Sequence, residues 1–359
     1  MSFKLLLCAP DLKGGISAVV SGIEKGLENF SNEIVYKKIS YARRHDKDPK
    51  LNRLFLEVKQ LINFLYTIIK FKPSIVLIES SLDKKTVIRD AIHLFFGKVL
   101  KTRIAIHAHG GYWHLIPKWN FFIRRLSVYL VKKTDFLIVT SQEEYEDIKS
   151  LFAHSVNVFK IDNPVYFPFK ASHKKQIQAP LKIIYASRFA ENKGILDVLE
   201  AARLLKENAN FEFKLFGKGE LDEEVNSFVN QAKLSNIKVK GNIPLNELIQ
   251  EYLEGDVYLF PSYHKEGFPM SLFFALGAGL PIIATKVRPL PNFLVEGVHC
   301  LWVDERNPVM LADKILELSQ NPILMNQMRE ANIQTIKNFE PTKIVREYFE
   351  LFEPKLLQR

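Results

Sequence analysis

With 359 residues, 47% of them apolar and 25% charged, the chain has the length of two packed domains and the make-up of neither a disordered nor a fibrous protein. Its net charge of +10 lies wholly in the first half: residues 1–165 hold 26 Lys/Arg against 16 Asp/Glu, and the remainder holds 24 of each. That asymmetry points to an anionic partner for the first half, whether a membrane surface, a phosphorylated substrate or nucleic acid.

Residues 4–10 read as a buried strand that carries Cys8 and reaches Asp11 too soon for a signal peptide. The only other cysteine, Cys300, is far away, so a reducing, cytoplasmic setting is expected. Next come Gly14, Gly15 and an apolar-periodic stretch over 17–27, giving strand, glycine loop and helix. Further strands are expected over 74–79, 103–108, 135–140 and 156–161, with helices over 51–70, 86–98 and 121–133 between them. A loop rich in Lys, Gln and Pro ends at Pro180, and the alternation resumes with strands over 181–186, 211–216, 237–240, 257–261, 281–285 and 300–303. Apolar β-rich runs alternating with helices imply α/β architecture with two mostly parallel, doubly wound sheets, whose ligands sit beyond the carboxyl ends of the strands. The uncharged run over 267–285 is long enough to span a bilayer, but Gly277, Gly279 and Pro281 divide it into helix, turn and strand.

Several clusters carry chemistry. Gly14 and Gly15 before a helix suit either an anion at the helix N-terminus or a tight turn. His107 and His109 end a strand on one face, followed by Gly110, Gly111 and His114; no carboxylate is near them in sequence. A metal site, a structural histidine pair and a ligand contact by His109 all remain open. Arg188 and Lys193, in a loop before a helix, could neutralise a diphosphate or form a solvated pair. In the block 264–271, Glu266, Gly267, Phe268, Pro269, Met270 and Ser271 join a carboxylate, a glycine turn and a helix start, so Glu266 could hold sugar hydroxyls while backbone N–H groups hold phosphate. Gly217 and Gly219 without a third glycine or a downstream acid argue against NAD.

Taken together these residues resemble the retaining glycosyltransferases of family 4, over nearly the whole chain. Arg188 with Lys193-Gly194, Gly217 and Gly219, Gly241 in Val-Lys-Gly, the run 256–262 and Glu266-Gly-Phe-Pro follow the family's order. The resemblance implies a GT-B fold, two Rossmann-like domains facing across a cleft. Residues 1–165 would form a basic acceptor domain, 166–340 a nucleotide-sugar domain, and 341–359 a helix returning to the first. It further implies transfer of a sugar, with retention, from a nucleotide diphosphate-sugar such as a UDP-sugar, without a metal, to a glycan or lipid-linked acceptor. Arg188 and Lys193 would stabilise the departing diphosphate, Glu266 would orient sugar hydroxyls, 268–271 would supply backbone donors, and His109 would approach the sugar.

The chain departs from the family at Phe274, where a second Glu is usual for the ribose. An aromatic accepts no hydrogen bonds there, which leaves another residue to bind ribose, a weaker affinity, or a lost activity. Members commonly build bacterial surface polysaccharides on lipid carriers. The basic stretches 118–133 and 37–53 then suit peripheral docking on the inner face of the plasma membrane, although 118–133 equally suits a core helix with a solvated rim. Nucleic acid is disfavoured, because no binding motif accompanies the charge. An epimerase on the same fold and a non-catalytic nucleotide-binding scaffold are the competing readings.

Overall fold

The computed structural model describes all residues except 1, 11–13, 42–49, 111–115, 117, 153–155, 170, 172–175, 177, 209 and 357–359, and the backbone alone at 50, 51, 53, 54 and 85. The chain divides into two units, one of Met1–Tyr166 with Phe339–Arg359 and one of Phe167–Asn338.

Unit 1 runs β1 (Phe3–Ala9), α1 (Gly15–Leu27), β2 (Ile34–Ser40), α2 (Lys50–Phe71), β3 (Ile75–Ser80), α3 (Lys84–Val99), β4 (Ile104–Ala108), α4 (Phe121–Lys133), β5 (Phe136–Val139), α5 (Gln142–Phe152) and β6 (Val158–Lys160). Its sheet has the order β2-β1-β3-β4-β5-β6, every pair parallel. The step from β1 to β2 runs opposite to all later steps. Right-handed crossovers therefore put α1 on one face and α2 to α5 on the other. The second face holds a continuous core in which Phe64 and Ile68 of α2, Val87 and Leu94 of α3, and Ile123 and Leu130 of α4 meet Val76, Ile78 and Ile106 of the sheet. Asn120 begins α4 by accepting the Ile123 N–H at 2.9 Å.

β2 lies outside the sequence reading, which took 37–53 as a basic cluster. It is an edge strand with only Ile34 and Ile39 buried, so its exposed lysines hide the alternation a strand normally shows. Residues 42–49 of that cluster lie outside the described residues.

Unit 2 runs β7 (Leu181–Ala186), α6 (Ile195–Leu204), β8 (Phe211–Phe216), α7 (Asp222–Gln231), β9 (Ile237–Gly241), α8 (Leu245–Glu254), β10 (Val257–Phe260), α9 (Met270–Gly277), β11 (Ile282–Thr285), β12 (Cys300–Val303), α10 (Pro308–Ser319) and α11 (Pro322–Ile336). Its parallel sheet has the order β12-β11-β10-β7-β8-β9, the Rossmann arrangement, with the winding direction reversing between β7 and β10. Such a reversal opens a crevice at the carboxyl ends of the two strands that flank it. The uncharged run ending at Thr285 forms α9, a turn with Gly279 at φ 72°, and β11. No helix of the described residues is long and apolar enough to cross a membrane.

The chain then returns to unit 1 as α12 (Pro341–Phe352), which packs beside α1. Its Phe349 meets Phe3 edge-on at 5.4 Å.

Candidate active site

In unit 2 the groups named from sequence gather at the carboxyl edge of the sheet. Lys193 follows β7 and Glu266 follows β10, the two strands that flank the reversal. The Lys193 ammonium pairs with the Glu266 carboxylate, and both side chains are largely buried, 13% and 17% exposed. Backbone contacts create this meeting. The Tyr263 and His264 N–H groups both donate to the Asn192 carbonyl at 3.1 Å, and the Asn192 side-chain amide lies 3.0 Å from His264 Nδ1. Tyr185 holds the other side by donating to the Lys193 carbonyl at 3.1 Å. Gly194 permits the approach: its φ is 70°, and an added Cβ would lie 2.1 Å from the Pro261 carbonyl oxygen. Asn192 was within reach of the sequence as part of this loop, but its stitching role needs the folded neighbour.

The β8 edge is equally close. Gly217, at φ 141°, would place a Cβ 1.8 Å from the Ser187 oxygen, and its N–H donates to Gly241 at 3.0 Å. Arg188 stands apart from Lys193: its side chain is 59% exposed, and Nε lies 4.0 Å from Glu220. Gly267, Phe268, Pro269 and Met270 are buried, Ser271 is half-buried, and Phe274 is buried within α9. Phe268 stacks on Phe273 with ring centroids 3.6 Å apart, which fixes the entry to α9. Burial together with Lys193 and Arg188 holds the His264 imidazole below its ordinary pKa, against the opposing pull of Glu266. The open site therefore carries a neutral imidazole beside an ion pair at pH 7.

In unit 1, Gly14 ends the loop before α1 with φ 154°, and among the described residues no atom lies within 4 Å of a Cβ added at Gly14 or Gly15. Residues 11–13, Gly111 and His114 lie outside the described residues. No carboxylate lies near the histidines in sequence, but the fold brings one to them: Glu79 of β3 lies directly across from His107 of β4 in register. One Glu79 oxygen, Oε2, lies 3.0 Å from His107 Nδ1 and 2.5 Å from His109 Nε2. Tyr348 of α12 brings its hydroxyl to 2.9 Å from the same His107 nitrogen. Alternation along β3 put Glu79 on the sheet face that receives α12, and a polar residue ending a buried strand was the available sequence signal.

The donor atoms of Glu79, His107 and His109 lie within 4.8 Å of one another, a set that could enclose a metal ion. Ligands of one ion at ~2.1 Å are held roughly 3.3 Å apart or more. Separations of 2.5 and 3.0 Å from a shared oxygen are instead hydrogen bonds. Burial and His107 lower the His109 pKa, outweighing the pull of Glu79. Neutral His109 with Nε2–H bound to Glu79 keeps Nδ1 as an acceptor. Glu79 itself is held well below the usual carboxylate range, because the two imidazoles outweigh the opposing cost of burial.

The family model described as "Glycosyl transferases group 1" matches residues 169–335, essentially all of unit 2. The amylovoran biosynthesis glycosyltransferase AmsK of Erwinia amylovora is 28% identical over 47% of this chain and 43% of its own length. The chain thus spans less than half of the length of that relative. An uncharacterized glycosyltransferase of Haemophilus influenzae is 27% identical over 75% of this chain and 76% of its own length. Among solved structures, Anabaena HepE in complex with UDP and glucose superposes with a TM-score of 0.74, covering 98% of this chain and 100% of that one at 13% identity. Two six-stranded Rossmann-like sheets and this superposition make the fold GT-B, and its second unit, through residues 169–335, matches the glycosyl transferases group 1.

Proposed function

We propose that this protein is a retaining hexosyltransferase that moves a sugar from a UDP-sugar to a glycan or lipid-linked acceptor without a metal ion. The observation that carries the reading is the Lys193–Glu266 pair, set on two stitched loops at the winding reversal of the family-matched sheet. An ammonium and a carboxylate in contact are complementary to the two ends of a sugar diphosphate. Lys193, joined by Arg188, takes the anionic diphosphate, and Glu266 accepts hydrogen bonds from sugar hydroxyls.

In the reaction, the bond between the anomeric carbon and the diphosphate oxygen breaks and the leaving group keeps the electron pair. The acceptor oxygen bonds to the same carbon on the same face, and its proton passes to the departing diphosphate. Charge grows on that diphosphate as the bond breaks, which is where fixed cations act most strongly. His109, fixed by Glu79, offers Nδ1 to a ligand hydroxyl. The burial of Phe274 leaves ribose recognition to other groups at this edge, with Glu220 beside Arg188 available as an acceptor. The relative named for amylovoran biosynthesis supports a role in surface polysaccharide synthesis, with the basic first half acting at the cytoplasmic membrane face.

Calorimetric titration of UDP, GDP and ADP into wild type and Arg188→Ala tests the donor. UDP should bind best and weaken roughly tenfold in the variant; equal binding of all three nucleotides would refute the UDP assignment. Turnover should persist in EDTA. A product formed from donor alone would instead mark an epimerase, and nucleotide binding without turnover on any lipid-linked or glycan acceptor a scaffold.

A further inference from the structure

The outward faces of α2 and α3 carry apolar residues where a soluble helix normally carries polar ones. On α2 the exposed positions Phe55, Val58, Ile62, Tyr66 and Ile69 recur every three or four residues, with Ile62 61% exposed. On α3, Ile88, Ile92, Phe95 and Val99 do the same, with Phe95 52% exposed. Each helix already buries its opposite stripe in the shared core beneath it, through Phe64 and Ile68 on α2 and Val87 and Leu94 on α3. Both helices are therefore apolar on two sides, and the two outer stripes point the same way from the sheet. The α2 stripe extends over roughly 20 Å at 1.5 Å per residue, and a packed neighbour lies about 10 Å away. A continuous exposed patch of that breadth marks an interaction surface.

Charge chooses the occupant. Residues 50–101 hold ten Lys/Arg and four Asp/Glu. Two of those acids, Glu79 and Asp90, are buried, whereas Lys59, Lys70, Lys84 and Lys101 are exposed around the stripes. At the start of α4, exposed Phe121 and Phe122 stand beside exposed Arg124 and Arg125 and extend the same pattern. A second copy of the chain would bring like charge against like. An anionic bilayer offers apolar depth for the stripes and negative headgroups for the surrounding cations.

We propose that the outer face formed by α2, α3 and the start of α4 seats this protein on an anionic lipid surface. The inference deepens the reading of the basic half as the acceptor side, and it centres the contact on the two apolar stripes with their lysine rim, keeping only the start of the basic stretch 118–133.

The test is co-sedimentation with phosphatidylglycerol-containing and pure phosphatidylcholine vesicles, in the absence of donor. Wild type, Ile62→Ser/Phe95→Ser and Lys59→Glu/Lys84→Glu are compared. Wild type should bind the anionic vesicles and weaken as salt is raised, and each double variant should lose roughly tenfold or more. Because the substituted side chains are exposed, circular dichroism melts and UDP titrations should match wild type, which separates failure here from failure of the enzyme reading. Absence of binding to anionic vesicles, or variants that bind as tightly as wild type, would overturn the proposal. So would a dimer seen by light scattering that the Ile62→Ser/Phe95→Ser variant disperses without any vesicle binding, which would assign the face to a second copy.

Discussion

Lys193→Met separates the two jobs that the site asks of one ammonium group. In the free protein Lys193 neutralises Glu266, and both side chains are mostly buried. Removing one partner of a fully buried pair costs ~3–5 kcal/mol. The residual exposure lets water reach Glu266, so the expected loss is about 2 kcal/mol in urea denaturation. Adding Glu266→Gln should recover about half of it, since no uncompensated charge then remains. Activity should fall much further. A cation facing charge that develops on a leaving group contributes on the order of 100- to 1,000-fold to kcat, whereas ground-state UDP affinity should fall only about tenfold. Single-turnover transfer and UDP titration on the same samples make the comparison. A Lys193→Met protein that loses stability yet keeps kcat within threefold would show that Lys193 clamps Glu266 and does not face the diphosphate.

Glu79→Gln removes the charge shared by two buried imidazoles and the anchor of the His109 tautomer; turnover should fall about tenfold with UDP affinity unchanged, and urea denaturation should show a loss of about 2 kcal/mol. Burial lowers His93 to about 4 against a usual 6.5, with Nδ1 2.9 Å from the Arg89 carbonyl oxygen. The unfolded chain therefore takes up the proton first, so His93 contributes its full stability above pH 6.5 and withdraws about 3 kcal/mol as pH falls towards 4. His93→Phe should flatten that slope in pH-dependent denaturation; an unchanged slope would refute the assignment. Gly217→Ala forces a Cβ against the Ser187 oxygen, and should cost about 3 kcal/mol or more in urea denaturation and weaken UDP in calorimetric titration.

Strands lying deep in either sheet were legible from sequence, since both faces of β3, β4 and β7 are covered and their apolar runs are continuous. β2 was not, because an edge strand can carry lysines without losing its pairing. In the site, Lys193 and Glu266 could be named from their motifs, but their contact depends on Asn192 reaching the loop after β10 and on the close approach at Gly194. Arg188 and Lys193 look like a pair at five residues' spacing, yet the loop turns Arg188 outward to Glu220 and Lys193 inward to Glu266. Glu79 escaped for another reason: pairing across a parallel sheet joins residues 28 positions apart, and no local window contains both. Tyr348 reaches His107 across 241 positions, a partnership that only the return of α12 creates.

That return also orders events during synthesis. A chain made from N- to C-terminus completes unit 2 by residue 338, before α12 exists to cover the α1 face of unit 1. Until then Phe3 lacks its partner Phe349, and His107 lacks Tyr348. The first half emerges first yet matures last. A product truncated after residue 338 would carry a finished second unit beside a first unit with a raw apolar flank, and would be a natural client for chaperones and proteases.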